Sequence, residues 1–164
     1  MRINNGYKDI TRKFQRKKKK YRVCEKTYYK KSGVYFKVDN KNVVLDYAAE
    51  EKETAKIISK ITGKTVYMNP RINFPKGIKT ADYIISGKYW DKKLIKNAIS
   101  KERAIDNAVK NCMNQSNRFI IDATNCKLSN TNLIIQAKNL LNKRLWIKEI
   151  IIIRNNKVII ALKK

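Results

Sequence analysis

Asp82, Asp91 and Lys93 stand in the order D-x8-D-x-K, in a chain of 164 residues that holds no histidine. Two carboxylates and a lysine on one patch suit a divalent metal, Mg²⁺ first, with Mn²⁺ or Zn²⁺ as alternatives. The lysine would orient or deprotonate a water beside a scissile phosphodiester. Without histidine there is no imidazole acid–base catalysis, no Cys/His zinc finger and no His-metal nuclease. Spacing alone is a weak signal in a lysine-rich chain. The competing reading gives Asp82 a turn-capping role and leaves Asp91 and Lys93 as a solvated surface pair.

A hairpin must position these groups. Asp82-Tyr83-Ile84-Ile85 and Lys88-Tyr89-Trp90-Asp91 flank Ser86-Gly87, a strand–turn–strand signal. Its open end would bring Asp82 and Asp91 together. Asp91 and Lys93, two apart on one strand, leave the same face. Around it, Val34, Phe36 and Val38 alternate before a turn at 39–42, with Val43-Val44-Leu45 returning as a hairpin. Residues 48–62 read as a helix with Ile57, Ile58 and Ile61 on its apolar face and Gly63 as the stop. Thr65–Met68 reads as a strand and 69–80 as loop. A second helix is best defined over 102–113, a strand at 119–121, and a third helix follows a Ser129-Asn130 cap. Two last strands, Trp146–Ile153 and Val158–Leu162, flank a turn at 154–157. The expected fold is α/β or α+β, a single mixed sheet with about three helices in one domain over 32–164.

Thirty-nine Lys and Arg against thirteen Asp and Glu leave a formal charge of +26. Such a field favours a polyanion, nucleic acid above all. Residues 1–31 hold thirteen of the basic residues and two acids, and read as a basic N-terminal arm. Its block Arg16-Lys17-Lys18-Lys19-Lys20 is either laid along phosphates or simply solvated. Lys76 and Lys79, in the loop before Asp82, are open to the same two readings. Tyr28, Tyr29, Tyr35 and Tyr47 interleave with lysines, as base-stacking rings or as one face of a sheet. Asp122 and Thr124 read as turn residues, and Trp90 and Trp146 as core. Three scattered cysteines, Cys24, Cys112 and Cys126, suit reduced thiols. No run approaches the roughly 20 apolar residues of a membrane span, and residues 1–6 carry no apolar signal core. The expected location is cytoplasmic, with no membrane partner.

The segment Gly77–Lys93, G-I-K-T-A-D-Y-I-I-S-G-K-Y-W-D-K-K, resembles the G-x-x-x-P-D-Y-x-I-x-G-x-x-[WF]-[DE]-x-K stretch of CdiA-type C-terminal nuclease domains. These are toxin modules of contact-dependent inhibition systems, with relatives in phage and conjugative-element proteins. Upstream, Glu51-Lys52-Glu53-Thr54-Ala55-Lys56-Ile57-Ile58 resembles that family's E-N-E-x-A-x-x-L helix. Downstream, Asn117–Asp122 resembles its next strand, so the likeness covers roughly 48–162. The resemblance implies a PD-(D/E)XK-like fold and metal-assisted cleavage, of tRNA in several members and of DNA in others. It implies metal-binding roles for Asp82, Asp91 and the helix carboxylate Glu53, and a catalytic role for Lys93. Two positions depart from the pattern: Ala81 stands for Pro and Lys52 for Asn. On a helical wheel Glu50 lies nearest the apolar face, with Glu51 and Glu53 at its edges, so Glu50 and Glu51 stay as substitutes.

The leading expectation is therefore a metal-dependent endonuclease, a ribonuclease before a DNase, from a toxin or mobile-element system, with an immunity protein as partner. A metal-free RNase of the barnase/RelE-like kind is a second reading. The third is a non-catalytic protein that grips RNA or a ribonucleoprotein, as a mobile element's inhibitor of host defence would, keeping only the nuclease fold. Its mark would be salt-sensitive binding without turnover.

Overall fold

The computed structural model describes residues 6–15, 22–96 and 102–164. The block Arg16-Lys17-Lys18-Lys19-Lys20 lies outside the described residues. In chain order the elements begin with β1 (Lys8–Asp9), α1 (Thr11–Gln15), β2 (Val23–Glu25), β3 (Tyr28–Lys31), β4 (Val34–Lys37) and β5 (Val43–Val44). Then come α2 (Ala49–Thr62), β6 (Val66–Met68), β7 (Arg71–Ile72), β8 (Tyr83–Ile85), β9 (Lys88–Leu94) and α3 (Ala104–Val109). The chain closes with β10 (Arg118–Asp122), α4 (Asn130–Lys143), β11 (Glu149–Arg154) and β12 (Lys157–Lys163). This is an α+β fold with a large mixed sheet and, among the described residues, four helices. The chain packs as two compact units, and β9 passes from one to the other after Asp91.

One unit holds the ladder β1-β12-β11-β10, in which β10 and β11 run parallel and the other pairs antiparallel. Phe119, Ile121, Ile150 and Ile152 are fully buried in a core with Leu133, Ala137 and Leu141 of α4 and Ile105 and Val109 of α3. Ile120 and Ile151, at the alternate positions, are buried as well. Strands buried on both faces need continuous apolar runs, which is how these segments read. Ser129 caps α4 by accepting from the Asn132 N–H. Asp106 and Arg144 join α3 to the end of α4, and the guanidinium holds the carboxyl below its ordinary range.

Arg154, at the end of β11, organises the loop before α4. Its guanidinium donates to the carbonyls of Ala123 (3.0 Å), Cys126 (2.9 Å) and Leu128 (2.6 Å) and to Asn130 Oδ1 (2.6 Å). No apolar side chain can replace that fork, and its removal orphans half-buried carbonyls. Arg154→Met should cost about 2 kcal/mol of unfolding free energy, read by urea titration. An unchanged midpoint would show the network to be dispensable. Asp122 and Thr124 are turn residues as read: Asp122 Oδ1 accepts from Thr124 N (3.0 Å), and Thr124 Oγ1 from Asn155 N (3.2 Å).

The other unit holds the ladder β2-β6-β8-β9, with β2 and β6 parallel and the rest antiparallel. α2 packs along β6 and β2. Two segments of the stretch read as an arm are therefore strands: Lys8–Asp9 pair with β12, and Val23–Glu25 with β6. The hairpin expected from 34–45 is also displaced. β4 pairs with β3 across Ser32-Gly33, while β5 pairs with β7 inside the stretch read as loop. Ser32 and Gly33 both have positive φ (49° and 82°), the requirement of a type I′ hairpin turn, and Ser86-Gly87 repeats it (51° and 73°).

The turn at 39–42 is real, but it is a capped loop. Asp39 Oδ1 accepts from the N–H groups of Lys41, Asn42 and Val43. Those donors, Val43 first, lower its carboxyl from 3.8 to about 2. The carboxylate's stabilisation is fully present above the unfolded value and is lost as pH falls through the folded one. Wild type should therefore lose melting temperature between pH 3.8 and about 2. Asp39→Asn, which keeps an oxygen acceptor but does not titrate, should lose less over that window.

Candidate active site

The register of the β8–β9 hairpin decides where the acids fall. Tyr83 pairs with Trp90, Ile84 with Tyr89 and Ile85 with Lys88. Asp82 and Asp91 are the next residues outward, one step beyond the last pair. The open end of the hairpin thus holds both, as the spacing predicts. Asp91 is fully buried, a costly place for a carboxyl, while Asp82 is half-buried. Lys93 follows on the same strand and is half-buried.

The backbone leading into Asp82 is held from several directions. Gln115 Nε2 donates to Thr80 O (2.9 Å), and Asn69 Nδ2 donates to Ala81 O (2.9 Å). Asn69 N donates to Asp82 O (2.9 Å). The buried Ala81 donates its own N–H to the Tyr29 hydroxyl (3.2 Å). This last bond accounts for the departure from the family pattern: proline has no N–H to give. A carboxylate on backbone fixed in this way is pre-organised rather than carried on a mobile loop.

Two tyrosine hydroxyls report the local field. Burial pushes the Tyr83 hydroxyl well up, and the charges of Asp82, Glu51 and Asp91 push the same way. Burial also raises Tyr29, with Asp91 and Asp82 among the charges that add to it. The Tyr83 hydroxyl donates to the backbone carbonyl of Glu51 (2.8 Å), which ties the first turn of α2 to β8. Tyr83 was not singled out from the sequence. The available signal was a tyrosine beside Asp82 in an apolar strand, whose hydroxyl needs a partner once buried.

The helix carboxylates separate clearly. Glu53 is exposed, and its carboxylate accepts from Lys56 Nζ (2.6 Å), which holds it below its ordinary range. Glu50 is exposed as well. Glu51 is half-buried and is the α2 carboxylate whose charge reaches Tyr83. Its Oε2 also accepts from the Ala48 N–H (3.3 Å), half of a capping box. Among the described residues, no group of three His, Cys, Asp or Glu side chains is placed to hold a metal ion. Two carboxylates are enough for Mg²⁺, which commonly takes one or two and completes its shell with water and phosphate oxygens. Lys76 and Lys79 are exposed in the preceding loop, and the Lys79 carbonyl accepts from Lys31 Nζ (2.8 Å).

Residues 79–158 match the family model of the contact-dependent growth inhibition CdiA C-terminal domain. That segment is similar to the CdiA C-terminal family, and the match spans just under half of the chain. The match contains Asp82, Asp91 and Lys93 and runs through β10, α4 and β11, whereas α2 with its glutamates lies upstream of it. No curated protein and no solved structure matches the chain. No helix among the described residues is long and apolar enough to cross a membrane.

Proposed function

We propose that this protein is a metal-dependent endonuclease toxin of the CdiA C-terminal type, acting on RNA before DNA, with a PD-(D/E)XK-like site. The observation that carries this reading is the register of the β8–β9 hairpin, which sets Asp82 and buried Asp91 one step beyond its last pair, within the segment that matches the toxin family. Asp82 and Asp91 would hold Mg²⁺, with Mn²⁺ or Zn²⁺ as alternatives. The bound ion would supply charge neutralisation at the scissile phosphate and a more acidic water. Lys93 would orient an attacking water, whose bond to phosphorus forms as the bond to the leaving sugar oxygen breaks. Glu51, half-buried where Glu53 is exposed, would be the helix carboxylate that assists.

A cytoplasmic target and a dedicated immunity protein complete this reading, since a nuclease made without a blocker would attack its maker. Its test is incubation of the purified protein with total tRNA and with plasmid DNA, each in Mg²⁺ and in EDTA. Cutting of tRNA in Mg²⁺ alone is expected. Cutting that survives EDTA would assign the metal-free RNase class instead. Retention of both nucleic acids without cutting would leave the non-catalytic, ribonucleoprotein-gripping role.

A further inference from the structure

The β3–β4 hairpin has two faces of different character. Its inner face buries Tyr29 against Val43 and Ile72, with Phe36, Val38, Ile78 and Tyr89 packed around them. That face satisfies the hairpin's need for a core. Tyr28, Lys30, Tyr35 and Lys37 alternate onto the outer face, and the register sets Tyr28 against Lys37 and Lys30 against Tyr35. Ring and ammonium thus alternate both along and across the strands. Tyr35 is 54% exposed, and on β6 Tyr67 is 39% exposed. The Tyr28 and Tyr35 rings lie 5.3 Å apart, tilted by 49°. Lys30 Nζ sits 5.0 Å from the Tyr35 centroid, and Lys26 Nζ sits 4.2 Å from that of Tyr28 and 5.8 Å from that of Tyr67. An apolar protein partner would not need the ammoniums, and an acidic one would not need the rings.

We propose that this outer face is a stacking platform for an unpaired segment of RNA. The exposed rings offer π-faces to bases, and the lysines between them meet the flanking phosphates. Paired bases have no free face to offer, whereas loops, bulges and ends of RNA do. The charge of +26 brings the polyanion to the surface, and the rings select its single-stranded parts. The platform lies on elements outside the matched family segment, and it functions whether or not the chain cleaves its ligand.

The test is fluorescence anisotropy in EDTA, where metal-dependent cleavage cannot intervene. The probes are a labelled single-stranded RNA of roughly ten nucleotides, its duplex, and the DNA strand of the same sequence. Full-length wild type is compared with Tyr28→Thr/Tyr35→Thr, which keeps strand propensity without the rings, and with Tyr28→Phe/Tyr35→Phe, which keeps the rings. Expected are preference for the unpaired RNA, a loss of about 10- to 100-fold in the threonine variant, and near-wild-type binding by the phenylalanine variant. Wild-type affinity in the threonine variant would overturn the proposal, as would equal binding of the duplex or of the DNA strand. Should the threonine variant melt early, Tyr35→Thr alone, at the more exposed ring, must still weaken binding about 10-fold for the proposal to stand.

Discussion

Asp91→Asn should lower metal-dependent cleavage by about 10³-fold while leaving nucleic-acid retention on a gel unchanged. The magnitude follows from removing one charged group from a preorganised, desolvated site, typically worth 10²–10³-fold or more in turnover. Asp91 is fully buried, so its charge acts in a low-dielectric setting rather than against bulk water. Asparagine keeps the volume and one oxygen, which separates charge from packing. Asp82→Asn should behave alike, and the double variant should lose little more than either single one, because groups that act as a unit are not additive. Thermal melts of each variant establish that folded protein is being compared. Cleavage within about tenfold of wild type in both single variants would remove these residues from the chemistry, whatever the family match implies.

The acids were legible because a hairpin converts sequence spacing into proximity. Ser86-Gly87 fixes the turn, the turn fixes the register, and the register carries Asp82 and Asp91 one step beyond the Tyr83–Trp90 pair. The strands of β10 and β11 were legible for a similar reason, as uninterrupted apolar runs. The face of α2 was not. Counting apolar residues centred it on Ile57, Ile58 and Ile61, yet the buried positions are Thr54, Ala55, Ile58 and Ser59. Ser59 can be fully buried because backbone groups satisfy its hydroxyl, which accepts from Arg22 N and donates its one hydrogen to the Lys64 carbonyl. A hydrophobicity wheel cannot see a polar residue that satisfies itself in the core. The pairing of β2 with β6 and of β5 with β7 was equally hidden, since each is a two- or three-residue strand whose partner lies tens of residues away. Short-range pattern carries no information about such contacts. The supports of the Asp82 backbone, Asn69, Tyr29 and Gln115, come from three separate stretches of chain and were invisible for the same reason.

The buried positions of α2 favour Glu51 over Glu53 as the helix carboxylate of the proposed site. Glu51→Gln should reduce cleavage by about 10²-fold, whereas Glu53→Gln should leave it within about twofold of wild type. Glu53 is 63% exposed at its side chain and already engaged by Lys56, and an exposed pair of this kind contributes little to stability. Glu51 sits one helical turn before the buried Thr54 and Ala55, and its charge reaches the Tyr83 hydroxyl together with those of Asp82 and Asp91. A purely structural role for Glu51 is the competing account, because its carboxylate also caps the helix through Ala48 N–H. Glutamine serves that cap about as well as glutamate. A capping role therefore predicts that Glu51→Gln is nearly silent and that Glu51→Ala lowers the melting temperature. A role in the site predicts that Glu51→Gln is folded and slow, with the loss in kcat rather than in KM. Should Glu53→Gln prove the crippled variant instead, the family's motif alignment would outrank the helix phase, and α2 would have to turn by more than a residue to bring Glu53 to the hairpin.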